Sequence, residues 1–236
     1  MGEPNPLPLY FTTLPKAMDP IHLEKIPHLS ETTYSLDRIG SSMDEKCTFL
    51  PVDQVNWKNS CQSIPRVRCK IAYNEQALFL KFQVEETAFR AQEVSDNGNI
   101  WEDSCVEFFL QPLPFSPFYY NFEFNAIGAL LIGYGTGRND RILADSVITN
   151  SVRREIQLSV SRGGGKKDSF CWELTAEIPF TALFKTNFTP QEGTIVKANI
   201  YKCGNKLPFP HFLSWRPIHT EQPDFHRSEF FGSLIF

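Results

Sequence analysis

Residues 64–236 read as an antiparallel β-sandwich of two sheets. Apolar and polar residues alternate with period two through successive runs, and turn residues interrupt those runs. No long stretch of that span keeps a helical period. The chain's 236 residues suit one large domain, because all-β sandwiches reach this size undivided. Apolar residues make up 42%, and the 21 Phe are enough to fill a sizeable core, which excludes a disordered or low-complexity chain.

Residues 1–44 are expected to be an extended segment packed on the domain, since Pro4, Pro6, Pro8, Pro15, Pro20 and Pro27 oppose a helix. Residues 45–236 form the sandwich. In RVRCKIAY, Val67, Cys69, Ile71 and Tyr73 point inward, Asn74 and Glu75 turn the chain, and Leu78, Leu80, Phe82 and Val84 return it as a hairpin. SCVEFFLQ sends Val106, Phe108 and Leu110 inward, opposite Cys105, Glu107 and Phe109. FYYNFEFNA does the same with Phe118, Tyr120, Phe122 and Phe124. Its other face, Tyr119, Asn121, Glu123 and Asn125, is unusually rich in hydrogen-bonding groups. GALLIGYG, VRREIQLSV, FCWELTAEI and IVKANIYK continue the series, with Trp172, Leu174, Ala176 and Ile178 inward in the third and Val196, Ala198 and Ile200 inward in the fourth. PFTALFK (179–185) is the one helix expected within the sandwich, because Pro fits a first helical turn.

The 23 Lys and Arg against 27 Asp and Glu leave a net charge of -4, so no basic field exists to collect phosphates, and a nucleic-acid partner is not expected. No apolar run is long enough to cross a bilayer, so no membrane partner is expected either. The first 30 residues lack the basic start and apolar block of an export signal. On its face the chain reads as cytoplasmic, with a trimmed secreted or periplasmic form as the alternative. The six Cys match no zinc ribbon or small disulfide framework. Cys69, Cys105, Cys171 and Cys203 lie in strand text as small apolar residues, and Cys47 with Cys61 is the pair to bridge if any does. RGGGKKD (162–168) lacks the Ser or Thr of a P-loop and reads as a hairpin tip.

Chemistry-bearing patterns are few. There is no G-x-S-x-G and no thiol-protease setting around any Cys. Glu102, Asp103, Glu107 and Glu123 lie on adjacent strand text and could supply a glycosidase pair, although charges on the solvent face of a strand are ordinary. His22, His28, His211, His219 and His226 have no zinc spacing. In SDNGN (95–99), Asp96 and Asn97 are weak calcium candidates against the plainer reading of an Asx-rich turn. Among the Trp, Trp172 is core and Trp57 a half-buried plug. Trp101 and Trp215 both stand at strand ends beside Glu, Asn, Arg and His. An indole there offers a face for the C–H face of a sugar while polar neighbours take its hydroxyls; the competing reading makes both side chains lids on the sandwich.

NGNIWEDSCVEFFLQP, YYNFEFNAIGALL, WELTAEIP, NIYKCG, HFLSWRPI and PDFHRSEFFGSLIF, in this order, resemble the family 9 carbohydrate-binding modules, in particular the stand-alone family 9-like proteins of Bacteroides-type bacteria. The resemblance spans about 45–236. It implies a jelly-roll or immunoglobulin-like sandwich that binds a sugar or glycan chain end between two Trp, helped by a Glu, with structural calcium nearby and no catalysis. The residues that match are Trp101, Glu107 and Trp215; Glu107 and Arg216 are expected to supply hydrogen bonds to hydroxyls, with Asn125 and His226 as candidate helpers. No convincing calcium ligands match, so calcium stays a candidate and no other cofactor is expected. The rival functions are a glycoside hydrolase using Glu107 with Glu123 or Asp103, and a haem-binding sandwich, which the early positions of Met1, Met18 and Met43 disfavour.

Overall fold

The computed structural model describes residues 23–30, 35–61, 63–161 and 168–236. The prolines at 4–20 and the loop tip at 162–167 lie outside the described residues. The strands are β1 (Leu23–Lys25), β2 (Leu50–Pro51), β3 (Arg66–Tyr73), β4 (Ala77–Glu86), β5 (Cys105–Gln111), β6 (Tyr119–Asn125), β7 (Leu130–Gly135), β8 (Ile142–Leu143), β9 (Arg153–Ser161), β10 (Ser169–Pro179), β11 (Ile195–Cys203), β12 (Phe212–Ser214) and β13 (Gly232–Ile235). Two helices interrupt them, α1 (Leu36–Lys46) and α2 (Ser146–Ser151). The larger sheet runs β1-β13-β11-β5-β6-β7-β8 with β12 also on β11, and the smaller runs β2-β3-β4-β10-β9. β1 lies parallel to β13; the other pairings between these strands are antiparallel.

The alternation works as expected. Leu80, Phe82, Val106, Phe108, Phe122, Phe124, Trp172, Leu174, Ala198 and Ile200 fill the space between the sheets, each at most 2% exposed. Phe118 departs from the pattern. It precedes β6, is 40% exposed and stacks on Tyr134. At one end the core also encloses charge. Lys202 Nζ lies 3.0 Å from Glu86 Oε2, Trp172 Nε1 donates to Glu86 Oε1 at 2.8 Å, and Lys202 also donates to the Cys203 carbonyl.

Two expectations are corrected. Positions 36–44 are not extended: α1 covers them because Leu36, Ile39, Gly40 and Met43 make a buried stripe at helical spacing. Lys70 donates to the carbonyls of Met43 and Asp44 at the end of α1, and Lys81 pairs with Asp44, so the helix is fastened to the outer face of the smaller sheet. Earlier, β1 and a bridge from His28 to Tyr73 do keep residues 23–30 extended. PFTALFK makes only one tight turn, Phe180–Ala182, because Phe180 plugs into the core directly after β10. All six cysteines are free; Cys47 caps α1, while Cys61 Sγ donates to the Ser63 carbonyl at 3.2 Å.

The larger sheet is buried on its far face too. Phe109, Tyr119, Leu131 and Tyr201 form a second apolar cluster there with Trp57, Ile100, Phe225 and Phe231. The cover is the segment 218–231, whose Phe225 ring stacks on Tyr201 at 4.1 Å and whose carbonyl accepts from Tyr201 Oη. Asn56 and Trp57 pin the start of this segment through Ile218 N and the Thr220 carbonyl.

A polar cleft on the far face of the larger sheet

Beside that second cluster the cover is incomplete, leaving a cleft of about 510 Å³. Its floor is the hydrogen-bonding face of β5 and β6. Glu107 and Glu123 stand directly opposite each other across the two strands, with Asn121 two residues along. These residues do not face solvent as strand charges ordinarily would: Glu107 is 3% exposed, because the 218–231 segment and the loop before β5 close over it.

Trp101 forms the rim and is 36% exposed. It sits in a single helical turn, Ile100–Glu102, anchored by buried Ile100 and by Asn205 N donating to the Trp101 carbonyl. Asp103 organises the approach. Its carboxylate accepts from Gln92 N, Glu93 N and Asn125 Nδ2 and pairs with Arg90, so it holds the loop and does not line the cleft as a partner for Glu107.

Two arginines enter from the loop after β7. Asp140 accepts from Thr136 N, Thr136 Oγ1 and Gly137 N, which fixes the loop and drives its carboxyl down to about 2. Arg138 pairs with Asp224 at 2.8 Å. Arg141 lies over the Tyr119 ring, 4.5 Å from its centroid, and donates through Nη2 to the Tyr119 carbonyl and to Asn121 Oδ1. Its Nε and Nη1 are buried without a partner. His226 completes this side, with Nδ1 2.9 Å from Tyr119 Oη. Burial, helped by Arg141 and Arg138, pushes its imidazole down to about 3, so it is neutral at physiological pH.

Burial also raises both carboxyls on the floor. Glu107 is held well above the usual range by burial and then by Cys203 and Glu123 nearby. Glu123 rises to about 7 through burial, against the lowering pull of Asn121, Arg141 and Arg138. The cleft therefore presents two carboxyls that hold their protons more tightly than usual beside two guanidinium groups. Such a set both donates to and accepts from hydroxyls.

Of the residues singled out in the sequence, the fold brings Trp101, Glu107, Glu123, His226 and Asn97 to this cleft. Trp215 and Arg216 are not there. Trp215 follows Leu213 on the inward face of the chain, is 6% exposed and packs between the sheets, with the Arg216 guanidinium 4.0 Å above its ring. Asn125 is fully buried and closes the turn after β6 by accepting from Ile127 N and Ala129 N. Asp96 and Asn97 are likewise engaged: Asp96 accepts from Leu130 N and pairs with Arg154, and Asn97 binds Ala144 and Ile132. Sequence reasoning missed Arg138, Arg141, Cys203 and Phe225 as cleft residues, since loop arginines have no periodicity and Cys203 reaches the floor only through strand pairing.

Comparison with known proteins adds the following. The model of carbohydrate-binding family 9 matches residues 39–236. A solved structure from Bacteroides uniformis, described as a candidate carbohydrate-binding protein, is 37% identical. It covers 91% of this chain and 97% of its own, with a TM-score of 0.78. A family 9 module from Caldicellulosiruptor kristjanssonii in complex with cellotriose superposes at TM-score 0.54 with 11% identity, over 90% of this chain and 92% of its own. The same organism's module in complex with glucose gives 0.53 and 10%, over 89% and 93%. No curated protein matches the chain.

Proposed function

The chain belongs to carbohydrate-binding family 9, and from that premise we propose that it holds a sugar or glycan end, without turning it over, in the cleft beside Trp101. The observation that carries this reading is the convergence of a half-exposed indole with Glu107, Asn121, Glu123, Arg141 and His226 around one sugar-sized space. A pyranose ring lays its C–H face on Trp101, while its hydroxyls take planar hydrogen bonds from the floor. The family 9 modules that hold cellotriose and glucose support a glucose-like ring as the first ligand to try. With Trp215 packed in the core, a single indole serves as the platform, and Phe225 and Leu131 supply the remaining apolar lining.

The opposed Glu107 and Glu123 favour one second reading, a retaining glycoside hydrolase, because directly paired strand residues bring carboxyls close together. One experiment separates the two. A glycan array, followed by calorimetric titration and product analysis of each hit, should give saturable binding with the glycan recovered unchanged. Release of new reducing ends moves the assignment to the hydrolase, and absence of binding across neutral and charged glycans rejects both.

A further inference from the structure

We propose that Cys105, Cys203 and Glu107 form a zinc site on the floor of the cleft. The register of β5 and β11 sets Cys105 directly opposite Cys203, and the period of two puts Glu107 on the same face one step along β5. One ligand atom from each lies within 4.8 Å of the others, and Cys203 Sγ is 2.9 Å from Glu107 Oε1. Tetrahedral zinc, with about 2.3 Å to sulfur and about 2.0–2.2 Å to a carboxylate oxygen, sets its ligand atoms roughly 3.5–3.8 Å apart. A small side-chain adjustment reaches that spacing.

The donor set selects the metal. Two thiolates with one carboxylate suit zinc and disfavour calcium or magnesium, which take oxygen. Three protein ligands leave a fourth position, and Glu107 and Cys203 both line the cleft, which gives the ion an entry path and leaves that position open to water. An independent observation points to the same spot. Glu123 Oε2, across the strand pair from Glu107, is buried without a hydrogen-bond partner in the same cleft, where it can accept from a metal-bound water. Charge is accommodated as well: a dication with two thiolates and a carboxylate is a single negative charge, facing the guanidinium groups of Arg138 and Arg141. Loading expels both thiol protons, and any proton on Glu107, to solvent. Histidine spacing gave no sign of this site, because its two sulfurs are far apart in sequence and meet only through strand pairing.

The zinc site rests on these atoms and does not require that a sugar bind. Protein purified with a non-thiol reductant and stripped by a chelator is titrated with Zn²⁺ and with Co²⁺. The expected result is one ion per chain, and for cobalt a near-ultraviolet thiolate-to-metal absorption of the strength that two thiolates give. Cys105→Ser/Cys203→Ser should abolish the absorption and weaken zinc by more than the about 10- to 100-fold that a lost outer-shell partner costs. Cys61→Ser/Cys171→Ser should change neither. The cobalt spectrum of the unmodified protein tests the site even where the double variant fails to fold. No thiolate absorption at saturating cobalt, or its persistence in a folded Cys105→Ser/Cys203→Ser protein, overturns the proposal.

Discussion

Glu107 and Glu123 are paired residues on adjacent antiparallel strands, both nearly sealed from solvent, and burial raises both carboxyls. Two like charges this close in a low-dielectric pocket cannot both ionise cheaply, so the fold retains protons that the unfolded chain gives up.

The sign of the pH dependence follows from that retention. Glu123 at about 7 lies above its ordinary 4.5, so the fold binds its proton more tightly than the unfolded chain does. Its contribution is full below about 4.5 and is lost as pH rises through about 7. The loss is on the order of 3 kcal/mol at most, at about 1.4 kcal/mol per pKa unit. Buried His226 and His211 act oppositely below 6.5, so the measurement is a difference: denaturant melts of the wild type and Glu123→Gln from pH 4 to 9. The variant should gain relative stability as pH rises; parallel curves would show that Glu123 ionises freely in the fold.

Lys202 and Glu86 form a second buried polar unit, between the sheets. Lys202 can only donate, so the 2.8 Å contact to His211 Nε2 makes that nitrogen an acceptor and leaves Nδ1 to donate to the Phe209 carbonyl. His211 is thus neutral, and burial followed by Lys202 holds it down to about 2. Lys202→Met strands the Glu86 carboxylate and should cost about 3–5 kcal/mol. Adding Glu86→Gln keeps an acceptor for Trp172 Nε1 and should restore much of the loss. A double variant no more stable than the single one, by chemical denaturation, contradicts this account.

Period-two alternation made both faces of β5 and β6 legible, including the polar face that became the cleft floor. It did not reveal that this face is covered, because the cover is the irregular 218–231 segment. Trp215 was legible in principle: it shares parity with inward Leu213, while Phe212 takes the cleft face. Its strand-end position and the W-x-P match both point to a binding site, but the side chain follows the parity into the core. The α1 stripe of Leu36, Ile39 and Met43 was also present in the text, masked by the Pro-rich composition before it. Arg138 and Arg141 could not be found by pattern, since their placement depends on the Asp140 turn.

Phe122 tests the core register. It is fully buried at the centre of β6, paired with Phe108 and Ile132 on its two sides. Phe122→Ala removes that burial and leaves a cavity, for an expected cost of about 3–5 kcal/mol. A measured change under about 1 kcal/mol would mean that the side chain does not face the smaller sheet.

Trp101 and Trp215 separate the cleft from the core in one comparison. Trp101→Ala removes the exposed platform at the rim, so sugar affinity should fall at least about tenfold, the equivalent of about 1.4 kcal/mol, with little loss of thermal stability. Trp215→Phe should do the reverse. Its ring packs between the sheets against Arg216, and an ideal Cβ on Gly232 would lie only 2.8 Å from Trp215 Cζ3, so the smaller ring loosens a tight contact and lowers the melting temperature while affinity holds. Trp57→Ala is an intermediate case. Trp57 packs against Phe212 and Phe225, both of which line the cleft, so its loss should weaken binding by a smaller factor through their displacement. Titration of each variant with the sugar that the array selects, alongside thermal melts, reads all three. If Trp215→Phe lost affinity while Trp101→Ala kept it, the ligand would sit beside Trp215, and the cleft would not be the sugar site.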